Sequence, residues 1–167
     1  MKRLITLMLL SAFVGFAACA QQPAASPRAK ATGKAGGATI TIDYGQPSVK
    51  GRKIFGDLVP YAKVWRAGAN EATVFETDSD IKVDGKALAK GKYGFFTIPG
   101  EKEWVIIFNK TWNQWGSFRY KQEEDVLRIT VPAKAAAAMI EAMTFKVENG
   151  KVQLAWENSM VEFPVTQ

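Results

Sequence analysis

Thr39-Ile40-Thr41-Ile42-Asp43-Tyr44 alternates polar and apolar positions, which places Ile40, Ile42 and Tyr44 on one face of a strand. Thr73 to Thr77 predicts a second short strand. Ile81-Lys82-Val83 and Lys86-Ala87-Leu88 flank Asp84-Gly85, and Val147-Glu148 and Lys151-Val152 flank Asn149-Gly150. Each pair predicts a hairpin with a type I′ turn, whose two central residues need positive φ and are therefore Asn, Asp or Gly. Tyr93 to Ile98 and Trp104 to Phe108 predict strands joined by Pro99-Gly100-Glu101. The second is apolar on both faces, as a central strand covered on both sides would be. Asp125 to Val131 alternates with Leu127, Ile129 and Val131 inward, and Gln153 to Glu157 and Val161 to Val165 add two more strands. One helix is expected: Pro132 suits a first helical position and Ala133 to Met143 is rich in helix formers. The pattern predicts an all-β chain, a single antiparallel β-sandwich of roughly nine short strands with one short helix packed across its end.

The N-terminus follows a different rule. Lys2 and Arg3 precede an apolar run from Leu4 to Phe16, too short to span a bilayer, and small residues follow at Ala17, Ala18, Cys19 and Ala20. This is the pattern of a secretory signal peptide. Ala18-Cys19-Ala20 fits ordinary cleavage before Gln21. Phe16-Ala17-Ala18-Cys19 resembles a bacterial lipobox, with Cys19 acylated as the new N-terminus, although an aliphatic residue is usual where Phe16 stands. Residues 1–18 (to 20 without lipidation) are thus assigned to the signal. Residues 19–37, rich in Ala, Pro, Gly and Ser, are assigned to a flexible tether, part of which could instead join the fold as an edge segment. Residues 38–167 are assigned to the sandwich domain.

Composition narrows the chemistry. The chain of 167 residues has no histidine and a single cysteine, Cys19, in the signal region. That excludes a Ser-His-Asp triad, a Cys-His dyad, His metal ligands and a disulfide within the folded part. Mechanisms left open use carboxylates, Lys, Tyr or Ser. The formal net charge of +6 drops when Lys2 and Arg3 leave with the signal. What remains suits a soluble mixed-charge surface better than a nucleic-acid partner.

Two long stretches lack strand periodicity. Gly45 to Asn70 carries Lys50, Arg52, Lys53, Lys63 and Arg66, and Lys110 to Lys121 carries Trp112, Trp115, Phe118 and Tyr120 among cations. Long ordered loops are often functional. In the first, Arg52, Trp65, Arg66, Asn70 and Glu71 form the sharpest constellation. Arg offers a planar fork for carboxylate, phosphate or sulfate, Asn and Glu supply mixed donors and acceptors, and Trp65 can stack on a ligand. The bland alternative pairs Arg66 with Glu71 and uses Asn70 to cap a turn, locking the loop to the sheet. In the second, Trp112, Trp115 and Tyr120 suggest a stacking platform for a glycan. The bland alternative is an aromatic lid over the core. Glu123-Glu124-Asp125 is a poor glycosidase pair, and Asp78, Asp80 and Asp84 lack the register of a calcium loop. No metal, cofactor or catalytic residue is therefore assigned.

The segments from Tyr44 to Gly56, Val59-Pro60-Tyr61, Val64 to Thr73, Gly91 to Pro99, Trp104 to Lys110, Trp115-Gly116 and Asp125-Val126-Leu127-Arg128 resemble the bacterial domain of unknown function 2911 family. The likeness runs from about Gln22 through nearly all of the mature chain. Gly94 departs from it, where a Ser is usual, a difference expected to matter little. The resemblance implies an exported, mostly β domain, largely of Bacteroidetes, and carries no activity and no catalytic residues.

The first expectation is therefore an exported envelope protein, periplasmic or anchored at the outer membrane, acting as a non-enzymatic binding or interaction domain. Its expected partner is an anionic or glycan ligand, with the membrane reached only through a lipid at Cys19. The alternatives are a carboxylate-dependent hydrolase or isomerase acting on an envelope polymer, and a purely structural envelope protein.

Overall fold

The computed structural model describes residues 26–167. The signal segment and Cys19 lie outside the described residues. The strands are β1 (Arg28–Ala35), β2 (Ala38–Gly45), β3 (Thr73–Thr77), β4 (Ile81–Val83), β5 (Lys86–Leu88), β6 (Gly91–Ile98), β7 (Glu103–Asn109), β8 (Asp125–Pro132), β9 (Lys134–Glu148) and β10 (Lys151–Thr166). They form two antiparallel sheets, one of six strands in the order β1-β2-β3-β6-β7-β8 and one of four in the order β5-β4-β10-β9.

The sheets face each other across one core. Ile40, Ile42, Phe75, Phe95 and Phe108 from the larger sheet meet Phe145, Leu154 and Phe163 from the smaller. Phe163 stacks 6.2 Å from Phe95 and stands edge-on 6.1 Å from Phe108. Each such side chain contributes about 1.5–3 kcal/mol by leaving water. A second, smaller cluster of Ala72, Phe96 and Ile107 lies on the outer face of the larger sheet, covered by Val64, Ile98, Val105 and Tyr120. It explains why β7 is apolar on both faces. Both expected tight hairpins form, with φ of 49° and 76° at Asp84-Gly85 and 52° and 70° at Asn149-Gly150.

Three expectations are corrected. Residues 133–143 form no helix: all but Ala133 belong to β9, and the one helical turn among the described residues is a 3₁₀ turn at Gln122–Glu124. Alanine favours a helix by only a few tenths of a kcal/mol per residue, and an isolated helix this short is marginal. The Asn149-Gly150 turn instead starts an antiparallel ladder running from Glu148↔Lys151 to Lys134↔Met160. The other edge of β9 is matched as well: Val49 N–H donates to Glu141 O at 2.8 Å and Met143 N–H to Pro47 O at 2.9 Å.

The two strands expected over 153–157 and 161–165 are one. β10 runs through the gap with register shifts on either side of Glu157, whose φ is 54°. Among the described residues the count is thus ten strands in two sheets. Finally, of the two readings left open for residues 19–37, the edge segment holds over 28–35 and the tether does not: this stretch is a full edge strand paired with β2 from Arg28↔Gly45 to Ala35↔Ala38.

Candidate functional site

The residues singled out from the sequence separate into two places. One is a recess where the 46–72 connection crosses the end of the core. Phe55 sits there 4.8 Å from Trp104 on β7 and 6.2 Å from Trp156 on β10. Trp65, 8 % exposed, stacks on Trp156 at 5.9 Å and 17°. It is held by paired backbone bonds with Thr97, Trp65 N–H to Thr97 O at 2.7 Å and Thr97 N–H to Trp65 O at 2.8 Å. Arg52 and Arg66 line the recess with Trp65, Trp156, Pro47 and Leu58, enclosing about 210 Å³. Arg52 is exposed, but its guanidinium is already engaged: Nε donates to Val49 O at 3.0 Å and Nη2 to Ser48 O at 2.6 Å.

Arg66 does not pair with Glu71, contrary to the bland expectation. Arg66 is half-buried, its Nε has no acceptor among the described residues, and desolvation lowers its pKa. Glu71 is exposed and turns the other way, accepting from Arg28 Nη1 at 3.5 Å. The sequence could not show this, because Arg28 reaches Glu71 only through the β1–β2 pairing.

The second place is a groove on the outer face of the larger sheet, bordered by the 110–121 loop. Its floor carries charged pairs. Arg28 meets Asp43 through Nη2 at 2.5 Å, and Lys92 meets Glu76 at 3.3 Å. One part of the groove, about 290 Å³, lies between these pairs and Trp112, and a second, about 530 Å³, runs past Trp115, Phe118 and Arg119. Glu71, Asn113 and Gln114 line both parts, so they are continuous. The loop is pinned along its base. Ala72 N–H donates to Gln114 O at 2.9 Å, Gly116 N–H to Asn70 O at 3.0 Å, and Gln114 Nε2 to Thr111 O at 2.9 Å. Asn70, at φ 63°, also donates from Nδ2 to Ser26 O at 3.3 Å.

The loop aromatics do not form a lid over the core. Trp112, Trp115 and Phe118 stand 39 %, 59 % and 87 % exposed. Lys92 Nζ lies 5.7 Å from the centre of the Trp112 ring, within cation–π range. Gly94 matters more than expected: a Cβ there would come 2.8 Å from Thr111 O and 3.3 Å from Trp112 Cα. The missing side chain lets the loop rest on β6. Tyr120 parts from the other candidates. Its ring packs 5.2 Å from Phe96, and its hydroxyl donates to Asp125 Oδ2 at 2.7 Å while accepting from Arg128 Nη2. Burial and the Asp125 bond push its pKa up to about 12. Tyr120 is thus a brace at the foot of the loop.

A family model described as a protein of unknown function (DUF2911) matches residues 26–165. The chain belongs to that family. No curated protein and no solved structure matches it significantly. Membership in DUF2911 brings no reaction with it, so chemistry has to come from the groove and the recess. Among the described residues, no cluster of three His, Cys, Asp or Glu is placed to hold a metal ion. No helix among them is long and apolar enough to cross a membrane. Three groups that matter here lay outside the sequence-based selection. Trp156 was hidden in the inward alternation of β10, while Arg28 and Lys92 gained meaning only when β1 and β6 were placed beside Asp43 and Glu76.

Proposed function

We propose that this DUF2911 protein is an exported envelope protein whose β-sandwich is a non-enzymatic binding module, with the groove along the 110–121 loop as its glycan-binding face. The observation that carries this reading is the display of Trp112, Trp115 and Phe118 on a loop whose base is fixed. Large aromatic surface left in water is costly unless something covers it. Flat rings stack on the apolar faces of sugars, and the mixed charges beneath them supply both donors and acceptors for hydroxyl groups. The base hydrogen bonds hold the loop backbone in place before a ligand arrives, which lowers the ordering cost of binding. Export follows from the N-terminal signal pattern. An acylated Cys19 would tether the domain to a membrane, which fatty-acid labelling of the intact protein reads.

The hydrolase alternative finds less support. Asp43 and Glu76 border the groove but face Arg28, Lys30 and Lys92. The carboxylates whose pKa values are shifted, Asp78 and Glu162, are both shifted downward by hydrogen bonds, Asp78 by Thr39 and Glu162 by Lys134 and Lys151. A general acid needs the opposite shift. A purely structural role leaves the displayed aromatics without a purpose.

The test is capture on a panel of immobilised glycans. The protein should retain at least one glycan class, and Trp112→Ala with Trp115→Ala should lose it with melting unchanged. Capture that survives both substitutions contradicts this assignment of the face.

A further inference from the structure

Three buried side-chain polar atoms lack a partner among the described residues: Arg66 Nε, Thr97 Oγ1 and Trp156 Nε1. All three belong to residues around Trp65. Thr97 is its backbone partner, Trp156 is its stacking partner, and Arg66 follows it in the chain. Native proteins leave few buried polar groups unmatched, and each one calls for a reason. Their concentration here coincides with the recess at the end of the core, which Arg66 and Trp156 both line.

The recess has a definite chemical preference. Two of the orphaned groups, the Arg66 Nε–H and the Trp156 indole N–H, are donors only. Arg52 adds a second guanidinium, and no Asp or Glu lines the space. Donors and positive charge without a carboxylate call for an anion. Apart from Ser26 and the backbone of Gly68, the rest of the lining, Pro47, Leu58, Val59, Trp65, Ala69 and the Trp156 ring, is apolar, so a bare inorganic anion would leave that part of the recess unfilled. We propose that this recess binds the carboxylate group of a small aliphatic acid, held by the Arg66 fork with its hydrocarbon chain against Trp65 and Leu58. Desolvation already lowers the Arg66 pKa, and a bound anion would offset that cost. The recess shares no lining residue with the groove, so this site stands independently of the glycan reading.

Isothermal titration of the intact protein with hexanoate, hexanamide and inorganic phosphate tests it. Hexanoate should bind at least tenfold more tightly than either of the others, and high salt should weaken it. Arg66→Gln should weaken hexanoate by tenfold or more, and Trp156→Phe, which keeps a smaller aromatic ring and removes the N–H, by several-fold. Equal binding of hexanamide would remove the carboxylate, and tighter binding of phosphate would remove the aliphatic chain. No binding by any probe, or an unchanged affinity in Arg66→Gln, would overturn the site. Should Arg66→Gln fail to fold, the comparison of acid, amide and phosphate on the unaltered chain still decides.

Discussion

The 46–72 and 110–121 connections are built from the same materials and do opposite things. Both lack long strands, both mix aromatics with cations, and both join neighbouring strands of the larger sheet. The first turns two of its three aromatics in and leaves Tyr61 at the surface. Phe55 and Trp65, 4 % and 8 % exposed, close the end of the core between β7 and β10. The second turns Trp112, Trp115 and Phe118 out and buries polar Gln114 instead. The difference lies in what each loop finds beneath it. The first crosses an open end of the core, where burying an aromatic ring is favourable. The second lies over an outer face where its own Tyr120, with Val64 from the first connection, suffices to cover Phe96 and Ile107. With that space filled by one ring, Trp112, Trp115 and Phe118 are left for something other than folding.

Phe55→Ala removes a ring that touches Trp65, Trp104 and Trp156, and should cost about 3–5 kcal/mol in urea unfolding. A loss below about 1 kcal/mol would mean that the first loop does not close the core. A smaller effect is expected at Tyr120. Its folded pKa of about 12 lies above the unfolded value near 10, so the folded state holds this proton more tightly. The stabilisation is full below pH ~10 and is lost as pH rises from there towards 12. Tyr120→Phe should flatten part of that alkaline decline. The rest belongs to other groups, among them Tyr93, which burial also pushes upward. An unchanged decline would separate Tyr120 from the Asp125 and Arg128 brace. The smallest effect belongs to Trp115→Ala, expected within about 0.5 kcal/mol of the parent despite the size of the ring removed. A larger loss would turn the displayed platform back into a folding element.

Most of the strands were legible because their signals are local. Asp84-Gly85 and Asn149-Gly150 need only two residues to specify a turn, and the alternation in β2 and β8 needs only its own segment. The alanine-rich stretch of β9 misled because its fate depends on distant partners, β10 on one edge and Pro47 to Val49 on the other. β1 carries a weaker signal, which leaves tether and edge segment both open. Arg28-Ala29-Lys30-Ala31-Thr32-Gly33-Lys34-Ala35 alternates polar and small residues, and Ala29 and Ala31 pack against the core. Small inward residues make a faint hydrophobic pattern, and the cations between them resemble a solvated tether. Of the candidate site, the residue types were legible and the grouping was not. Arg66 and Glu71 are close in sequence and diverge in space, because the bridge of neighbouring Trp65 to Thr97 and that of Glu71 to Trp115 fix the two ends of the segment separately.

The chain's five tryptophans divide into an interior set, Trp65, Trp104 and Trp156, and a displayed pair, Trp112 and Trp115. Titration with a soluble oligosaccharide such as chitotetraose, followed through the indole N–H resonances, reads both sets at once. Resonances of Trp112 and Trp115 should move with saturating ligand while those of Trp65, Trp104 and Trp156 stay in place. Movement confined to the interior set, or glycan capture with the Trp112 and Trp115 resonances unmoved, would contradict the division of labour between the two loops.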